Sequence, residues 1–312
     1  MDYNSSIDAH HNESKQTWKA MQILRTLLAL ALVSVAATSC TKQHVAFDSS
    51  VSKTVTDRAA ETVLASEVEW APLNPARGDK GPKAGALWGD QTGSGASGFL
   101  VKFVDGFSSP PHIHNITYRG MVISGLIHND DPGAEPMWMP TGSFWTQPAG
   151  EPHITAAKGS RCVAYIEIEN GPYLVLPTQE AFDNGERPIN VDSSNIVWVD
   201  QPGVAASASG PKIAFLWGNP QGNHLSGSLV KLPAEFVGTI RGIGSAFRAV
   251  IIRGEIEHQT SGEFDARLLE PGSCFGSQSE SVHQVSCEAE SECIIYMRTK
   301  GKFEVTATQP KY

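Results

Sequence analysis

Two stretches of the 312-residue sequence decide the fold: GFSSPPHIHNITYRGMVISG, residues 106–125, and GSFWTQPAGEPHI, residues 142–154. The first stretch places His112 and His114 two residues apart, after a glycine and five intervening residues. The second places a Pro-x-Gly turn just before His153. Residues i and i+2 of a strand point to the same face of a sheet. The two stretches therefore predict that three imidazoles meet on the inner side of a β-structure.

Short apolar runs separated by turn residues predict an all-β protein. The runs 98–104, 121–127 and 162–168 are rich in β-branched and aromatic residues, and 29 glycines and 19 prolines supply turn positions. This spacing is typical of antiparallel strands in a sandwich or barrel. The formal net charge is −9 and no run of basic residues occurs, which argues against nucleic acid as a partner.

The chain contains one unit twice. Segment 81–89 recurs as 210–218; both begin with Gly-Pro-Lys and end with Leu-Trp-Gly, at an offset of 210 − 81 = 129 residues. The same register continues through the following strands, so the repeat is a whole structural unit. The sequence predicts two tandem copies of one fold, 64–190 and 191–312.

Together, the two stretches resemble the two motifs of the cupin superfamily, G-x5-HxH-x3/4-E-x6-G and G-x5-PxG-x2-H. The resemblance implies that each copy is a jelly-roll-like β-barrel, which makes the protein a bicupin. The chain is similar to two-copy cupins without an assigned activity, to three-His metal cupins such as the cupin dioxygenases, and to the cupin domain of zinc anti-sigma factors.

The first copy carries the predicted metal site. His112, His114 and His153 are expected to bind one divalent transition metal ion, which could be zinc, iron or manganese because neutral imidazole suits all three. Three imidazoles leave coordination positions open. Three histidines that only form hydrogen bonds in a core are the structural alternative.

The site departs from the cupin pattern at the fourth ligand. The family's Glu would fall at Tyr118 or Arg119, and neither is a carboxylate. The residue that matches Tyr118 in the second copy is Phe247, which cannot bind metal, so Tyr118 is predicted to line the pocket. A three-His site keeps the full charge of the ion and favours an anionic or bidentate oxygen ligand.

Further candidates lie close to the histidines in sequence. Apolar side chains are predicted to line a ligand pocket, with ordinary barrel core as the alternative: Met137, Met139, Phe144 and Trp145. Glu151 and His128 are the nearest acid/base candidates. His128 is either catalytic or a solvated loop residue. Glu151 either orients His153 or contacts a substrate, and a surface carboxylate in a turn is the alternative.

The second copy lacks the ligand set. Arg241 and Ile243 stand where the first copy has His112 and His114, and His283 is the remaining counterpart of a ligand. A lone imidazole does not make a metal site. The second barrel is therefore predicted to be degenerate, metal-free and structural.

The first 40 residues are predicted to direct export. A signal-like segment begins at Met21, the expected translation start, and ends at Cys40 after small residues. This ending resembles the lipobox of bacterial lipoproteins. We therefore expect a protein of the bacterial cell envelope that faces the periplasm, held by lipid on Cys40 and a tether at 41–63. An ordinary cleaved signal peptide is the alternative.

Two cysteines have two possible states in such a compartment. Cys287 and Cys293 flank a turn-like segment and either bridge a hairpin or stay as separate buried thiols.

Two functions fit these features. The first is a metal-dependent enzyme of the cupin dioxygenase type, or another Lewis-acid catalyst, acting on a small oxygen-rich compound. The second is a non-catalytic, membrane-tethered module that binds or senses a metal or small ligand. Either function has a small molecule as its partner, and homo-oligomer formation stays open.

The mature N-terminus can be tested by mass. We expect translation from Met21 and a mature chain that begins at a lipidated Cys40, because the segment between them has the order of features of a lipoprotein signal. Intact mass spectrometry of the protein from its native envelope measures both. A mature chain that begins elsewhere, or an unmodified Cys40, would contradict lipidation.

Overall fold

The computed structural model describes residues 60–201, 209–220, 222–260, 265–287 and 292–308. The predicted signal peptide, 1–40, and most of the predicted tether, 41–63, lie outside the described residues. All described residues fall within one compact unit.

Antiparallel β-strands dominate these residues, which confirms the predicted all-β fold. The first ten strands are β1 (Ala60–Val63), β2 (Ala71–Pro72), β3 (Lys83–Trp88), β4 (Ser97–Phe103), β5 (Ile113–His114), β6 (Tyr118–Asp130), β7 (Phe144–Gln147), β8 (Ile154–Ile168), β9 (Val175–Leu176) and β10 (Ile189–Val191). The other nine are β11 (Val199–Asp200), β12 (Lys212–Gly218), β13 (Leu225–Leu232), β14 (Val237–Arg253), β15 (Ile256–Thr260), β16 (Arg267–Leu269), β17 (Cys274–Ser277), β18 (Ser281–Cys287) and β19 (Cys293–Ala307). The helical turns described are the 3₁₀ segments Ala65–Glu67, Pro75–Lys80, Thr178–Glu180 and Ser193–Asn195. None of the helical segments in this described part of the chain has the length and apolar character that a membrane span requires.

Each copy builds its own sheet system. The first has a seven-stranded sheet in the order β10-β7-β6-β8-β4-β3-β2 and a small sheet formed by β5 and β9. The second has the order β11-β12-β13-β19-β14-β18-β15-β16, with β17 paired to β14. The long pairs β6/β8 and β14/β19 occupy matching positions and form the centre of each copy.

The repeated Leu-Trp-Gly segment has the same local structure in both copies. Trp88 pairs with Gly98 after a bulge in β3, and Trp217 pairs with Gly227 after the same bulge in β12. Each indole lies over its glycine so closely that a Cβ there would overlap the ring. Glycine is required at both positions because the tryptophan occupies the space of a side chain.

The predicted tether extends too far along the chain. Its last four residues, Ala60–Val63, form β1, which pairs antiparallel with β17 of the second copy. The chain therefore adds a strand to the sheet of the second copy before it forms the strands of the first copy. The strand partner of this segment lies more than 200 residues away, so the local sequence pattern does not reveal the pairing.

A shared apolar core joins the two barrels. It differs from the core inside each barrel because it takes buried side chains from both copies: Leu87, Trp88, Leu100, Met121, Phe144 and Tyr165 from the first, and Leu229, Val250, Ile252, Ile294 and Tyr296 from the second. Burial of this much apolar surface favours a fixed association of the copies.

A buried carboxylate lies inside this interface. Glu167 of the first copy is 1% exposed, and it accepts hydrogen bonds from Tyr165 Oη at 3.0 Å and from Tyr296 Oη at 2.7 Å. Arg298 of the second copy faces it at 3.7 Å. Burial raises the pKa of Glu167, whereas Arg298 and the two hydroxyls lower it. The interface thus satisfies a polar group that neither barrel could satisfy alone.

The two cysteines that sequence analysis left open form a disulfide. Cys287 at the end of β18 bonds to Cys293 at the start of β19. Cys162 and Cys274 are buried free thiols.

The hydrogen bond across the interface can be removed by one substitution. Tyr296→Phe deletes the donor to Glu167, and we expect the free energy of unfolding to fall by about 2 kcal/mol because a buried carboxyl oxygen loses its partner. Urea unfolding of the two proteins measures the difference. A change below about 0.5 kcal/mol would contradict the importance of this bond.

Candidate metal centre

Three histidines converge in the first barrel. One ring nitrogen from each of His112, His114 and His153 lies within 4.8 Å of the other two. His114 and His153 are 2% and 1% exposed, whereas His112 is half-buried, so the cluster opens towards solvent on the side of His112. The structure brings together the residues that the two sequence stretches predicted.

Backbone hydrogen bonds set this arrangement. The N–H of His112 donates to the carbonyl of His153, and the N–H of His153 donates to the carbonyl of His112, both at 3.0 Å. The Pro-x-Gly turn also contributes, because Gly150 has φ of 78° and its N–H donates to the carbonyl of His114 at 2.8 Å. A residue with a Cβ would collide with Phe182 at that position. The motif glycine thus helps to hold the histidines in register.

The other nitrogen of each ring faces a main-chain carbonyl. The Nδ1–oxygen pairs are His112 with Pro110 at 2.9 Å, His114 with Leu174 at 2.8 Å, and His153 with Glu151 at 3.2 Å. A carbonyl can only accept, so all three Nδ1 atoms carry the proton. The Nε2 atoms keep their lone pairs, which is the tautomer that a metal ion requires.

The electrostatics of the cluster also keep the rings neutral. Burial lowers the pKa of all three histidines, and their mutual repulsion lowers those of His114 and His153 further. The pKa of His153 falls to about 3. Arg77 adds a smaller lowering effect on His112. Among the described residues, no carboxylate contributes to any of these shifts.

Tyr118 lies beside the cluster. Its hydroxyl donates to Asn129 Oδ1 at 2.9 Å and lies 3.3 Å from His153 Nε2. Burial raises the pKa of Tyr118 far above its usual range. The side chain therefore enters the site as a protonated phenol.

Tyr173 is a residue of this site that sequence analysis missed. Its ring stacks on His114 with centroids 4.3 Å apart, and its hydroxyl lies 3.2 Å from His114 Nε2. It belongs to the segment that enters β9, which pairs with β5. The cupin motifs contain no position for this residue, so only pairing between β5 and β9 could have revealed it.

The predicted lining residues divide between the two faces of the sheet. Trp145 and Met139 pack with Tyr118 inside the first barrel, and Met137 lies against the same cluster. Phe144 does not line the pocket, because it belongs to the core between the barrels. Its prediction was wrong because neighbouring residues of β7 point to opposite faces, so Phe144 and Trp145 cannot share one.

The two acid/base candidates have other positions. His128 is neither solvated nor among the three ligands: it is 2% exposed, packs near Trp138, and points to the opposite face of β6 from Asn129. Glu151 orients His153 through its main-chain carbonyl. The carboxylate of Glu151 instead contributes, after Asp183, to the raised pKa of Arg187.

The second barrel has a different polar interior. Arg241 is exposed and forms an ion pair with Glu280. His283 is not alone, as sequence analysis assumed: its Nδ1 lies 2.9 Å from His258 Nε2, and both rings are buried next to Phe275. His258 matches Asn129 of the first barrel, so no motif identified it. Within the described residues, the three-histidine group in the first barrel is the one cluster suited to a metal ion.

The described strands form two tandem cupin-like β-barrels, and the first barrel holds the three-histidine cluster. The sequence matches one family model, described as Domain of unknown function (DUF4437), over residues 61–306. The chain belongs to this family. No curated protein matches the sequence.

Solved structures share this fold at low sequence identity. A provisionally assigned dioxygenase from Nostoc punctiforme has a TM-score of 0.57 and 15% identity, with coverage of 84% of this chain and 90% of that chain. Oxalate decarboxylase from Lactobacillus farciminis, in a formate complex, has a TM-score of 0.51 and 9% identity over 80% and 88%. AerE from Microcystis aeruginosa has a TM-score of 0.50 and 11% identity over 80% and 99%. These similarities support the predicted fold.

The buried histidine pair of the second barrel predicts acid sensitivity. Burial lowers the pKa of His258 to about 3 and that of His283 to about 4, below the ordinary value of 6.5. The unfolded chain therefore binds protons between about pH 6 and 4 that the folded chain does not bind. As the pH decreases from about 6 to 4, the free energy of unfolding should decrease by about 1.4 kcal/mol per pH unit for each histidine.

The contribution of one histidine can be isolated. His258→Asn introduces the residue that the first barrel has at this position, and it should reduce the pH slope of stability by about 1.4 kcal/mol per unit. Urea midpoints measured from pH 7 to 4 give the slope. A slope equal to that of the unchanged protein would show that His258 does not stay neutral in the folded state.

Proposed function

We propose that the first barrel binds one divalent transition metal ion through His112, His114 and His153 and that the protein is a metal-dependent enzyme. The observation that carries this proposal is the convergence of one ring nitrogen from each histidine to within 4.8 Å, together with a main-chain carbonyl that faces the Nδ1 atom of every ring. Neutral histidines that merely fill a core have no need for this common tautomer.

The donor set fits such an ion. Neutral imidazoles serve zinc, iron and manganese, and a buried cluster without protons on Nε2 can bind an ion without first losing a proton. When bound, the ion would supply Lewis-acid polarisation of an oxygen ligand. The chain itself holds the three rings, excludes water around His114 and His153, and keeps the site open beside His112.

The substrate proposed is a small, oxygen-rich compound that binds as an anion. No carboxylate among the described residues offsets the charge of an ion held by these rings, and Arg77 adds positive charge near His112. Positive charge without a counterion favours carboxylates and enolates as ligands. Dioxygenase-like cleavage or another Lewis-acid reaction of such a compound is the chemistry we propose. An exported protein, anchored at Cys40, would carry out this reaction in the cell envelope.

Metal stoichiometry tests the assignment. Elemental analysis of the native protein should give one ion per chain, and His112→Ala or His153→Ala should lose it. His283→Ala, in the second barrel, is the matched control and should keep one ion. The ligand variants should stay folded, because the barrel closes with its own strands, and should lose only the stabilisation that ion binding adds. Two ions per chain, or an ion retained in His153→Ala, would contradict a single three-His site.

The identity of the bound ion distinguishes between the possible classes of reaction. Iron or manganese in protein from its own compartment would favour oxidative cleavage, and zinc would favour hydrolysis, isomerisation or sensing. A metal-loaded protein without turnover of small carboxylates or enols would instead indicate a binding or sensing module.

A further inference from the structure

The segment around Tyr173 holds His114 from both sides of its ring. The carbonyl of Leu174 accepts from Nδ1 at 2.8 Å, and the hydroxyl of Tyr173 lies 3.2 Å from Nε2. Asn115 fixes the segment, because its side chain accepts from Leu174 N and donates to the carbonyl of Pro172, both at 2.9 Å. The phenol is thus held at the metal centre by hydrogen bonds that do not involve its own hydroxyl.

A second phenol, Tyr118, reaches the same centre, but its proton has a permanent acceptor. The carbonyl of Glu151 can only accept, so the amide nitrogen of Gln147 faces it at 3.1 Å. Gln147 Oε1 then accepts from Asn129 Nδ2 at 2.9 Å, which turns Asn129 Oδ1 towards Tyr118. The hydroxyl of Tyr118 therefore donates to Asn129 whether or not His153 binds an ion.

The hydroxyl of Tyr173 has no such second acceptor. Within the described part of the chain, the polar atom in its reach is His114 Nε2. This nitrogen has one lone pair, and it cannot accept from Tyr173 while that pair is given to an ion. A half-buried hydroxyl that loses its one protein acceptor can donate instead to a ligand bound beside it.

We propose that Tyr173 is a ligand-contacting residue of the metal centre, whose hydroxyl donates a hydrogen bond to an oxygen of the anion bound there. The geometry suits a carboxylate, because a carboxylate presents a second acceptor oxygen next to the one that faces the ion. Hydrogen bonds to charged oxygens are also the stronger class. This inference rests on the proposed function, because it requires an ion on the three histidines.

Oxalate binding to the cobalt-loaded protein tests the role of Tyr173. The full chain is loaded with cobalt(II), whose visible absorption responds to a change of ligand, and is titrated with oxalate as the probe anion. We expect Tyr173→Phe to bind oxalate about tenfold more weakly or worse, because the anion loses a donor. His283→Ala, in the second barrel, should bind it within about threefold of the unchanged protein, because it keeps every group around the three histidines of the first barrel. Both variants should hold one cobalt per chain.

Each other outcome overturns a specific step. Equal oxalate affinity in Tyr173→Phe would refute the inference while leaving the metal site intact. Loss of cobalt from Tyr173→Phe would show that the phenol supports His114 or ligates the ion, which also refutes the inference. An equal loss of affinity in His283→Ala would show that the loss does not depend on a contact between Tyr173 and the anion, which refutes the inference. If the unchanged protein binds no cobalt, or binds it without any response to oxalate, the proposed open metal site fails, and the inference fails with it.

Discussion

Burial and mutual repulsion of three imidazoles within 4.8 Å of one another favour their neutral forms, and much of the site follows from that constraint. Neutral rings can exist in two tautomers, and the carbonyls opposite each Nδ1 select the same one for all three. The Nε2 lone pairs are then left available to an ion. Because hydrogen bonds to main-chain carbonyls replace carboxylate partners, the described site carries no negative charge of its own. An anionic ligand is the complement to such a centre.

The two barrels show how one fold can keep a polar interior with or without the ligand set. In the first barrel, Tyr118 donates to Asn129 next to the three histidines. In the second, Phe247 replaces the tyrosine, and His258 replaces Asn129 and pairs with His283. The pair satisfies one nitrogen of each ring inside an aromatic shell. The second barrel therefore uses buried histidine for packing and hydrogen bonding, and its stability depends on their neutrality.

The barrels also depend on each other. The strand at Ala60–Val63 completes a pairing with the second copy, and a single apolar core takes side chains from both. Glu167 has hydrogen-bond partners from both copies, so separation of the barrels would leave a buried carboxyl group partly unsatisfied. The first barrel therefore packs on the second through a core that both supply.

The sequence by itself determined the strand-rich fold, the repeat and the three histidines, because these features depend on the spacing of residues along the chain. Side chains alternate between the two faces of a strand, glycines stand where a turn or an indole needs space, and the two copies keep a constant offset. Tertiary structure alone decided the rest. Tyr173 and His258 reach their partners through strand pairs distant in sequence, which no spacing rule encodes. Phe144 was misplaced because the face that a strand residue uses depends on which side packs against the other barrel. The physical reason is the same in each case: strand pairing and burial are long-range interactions, and they fix the contacts that local pattern leaves open.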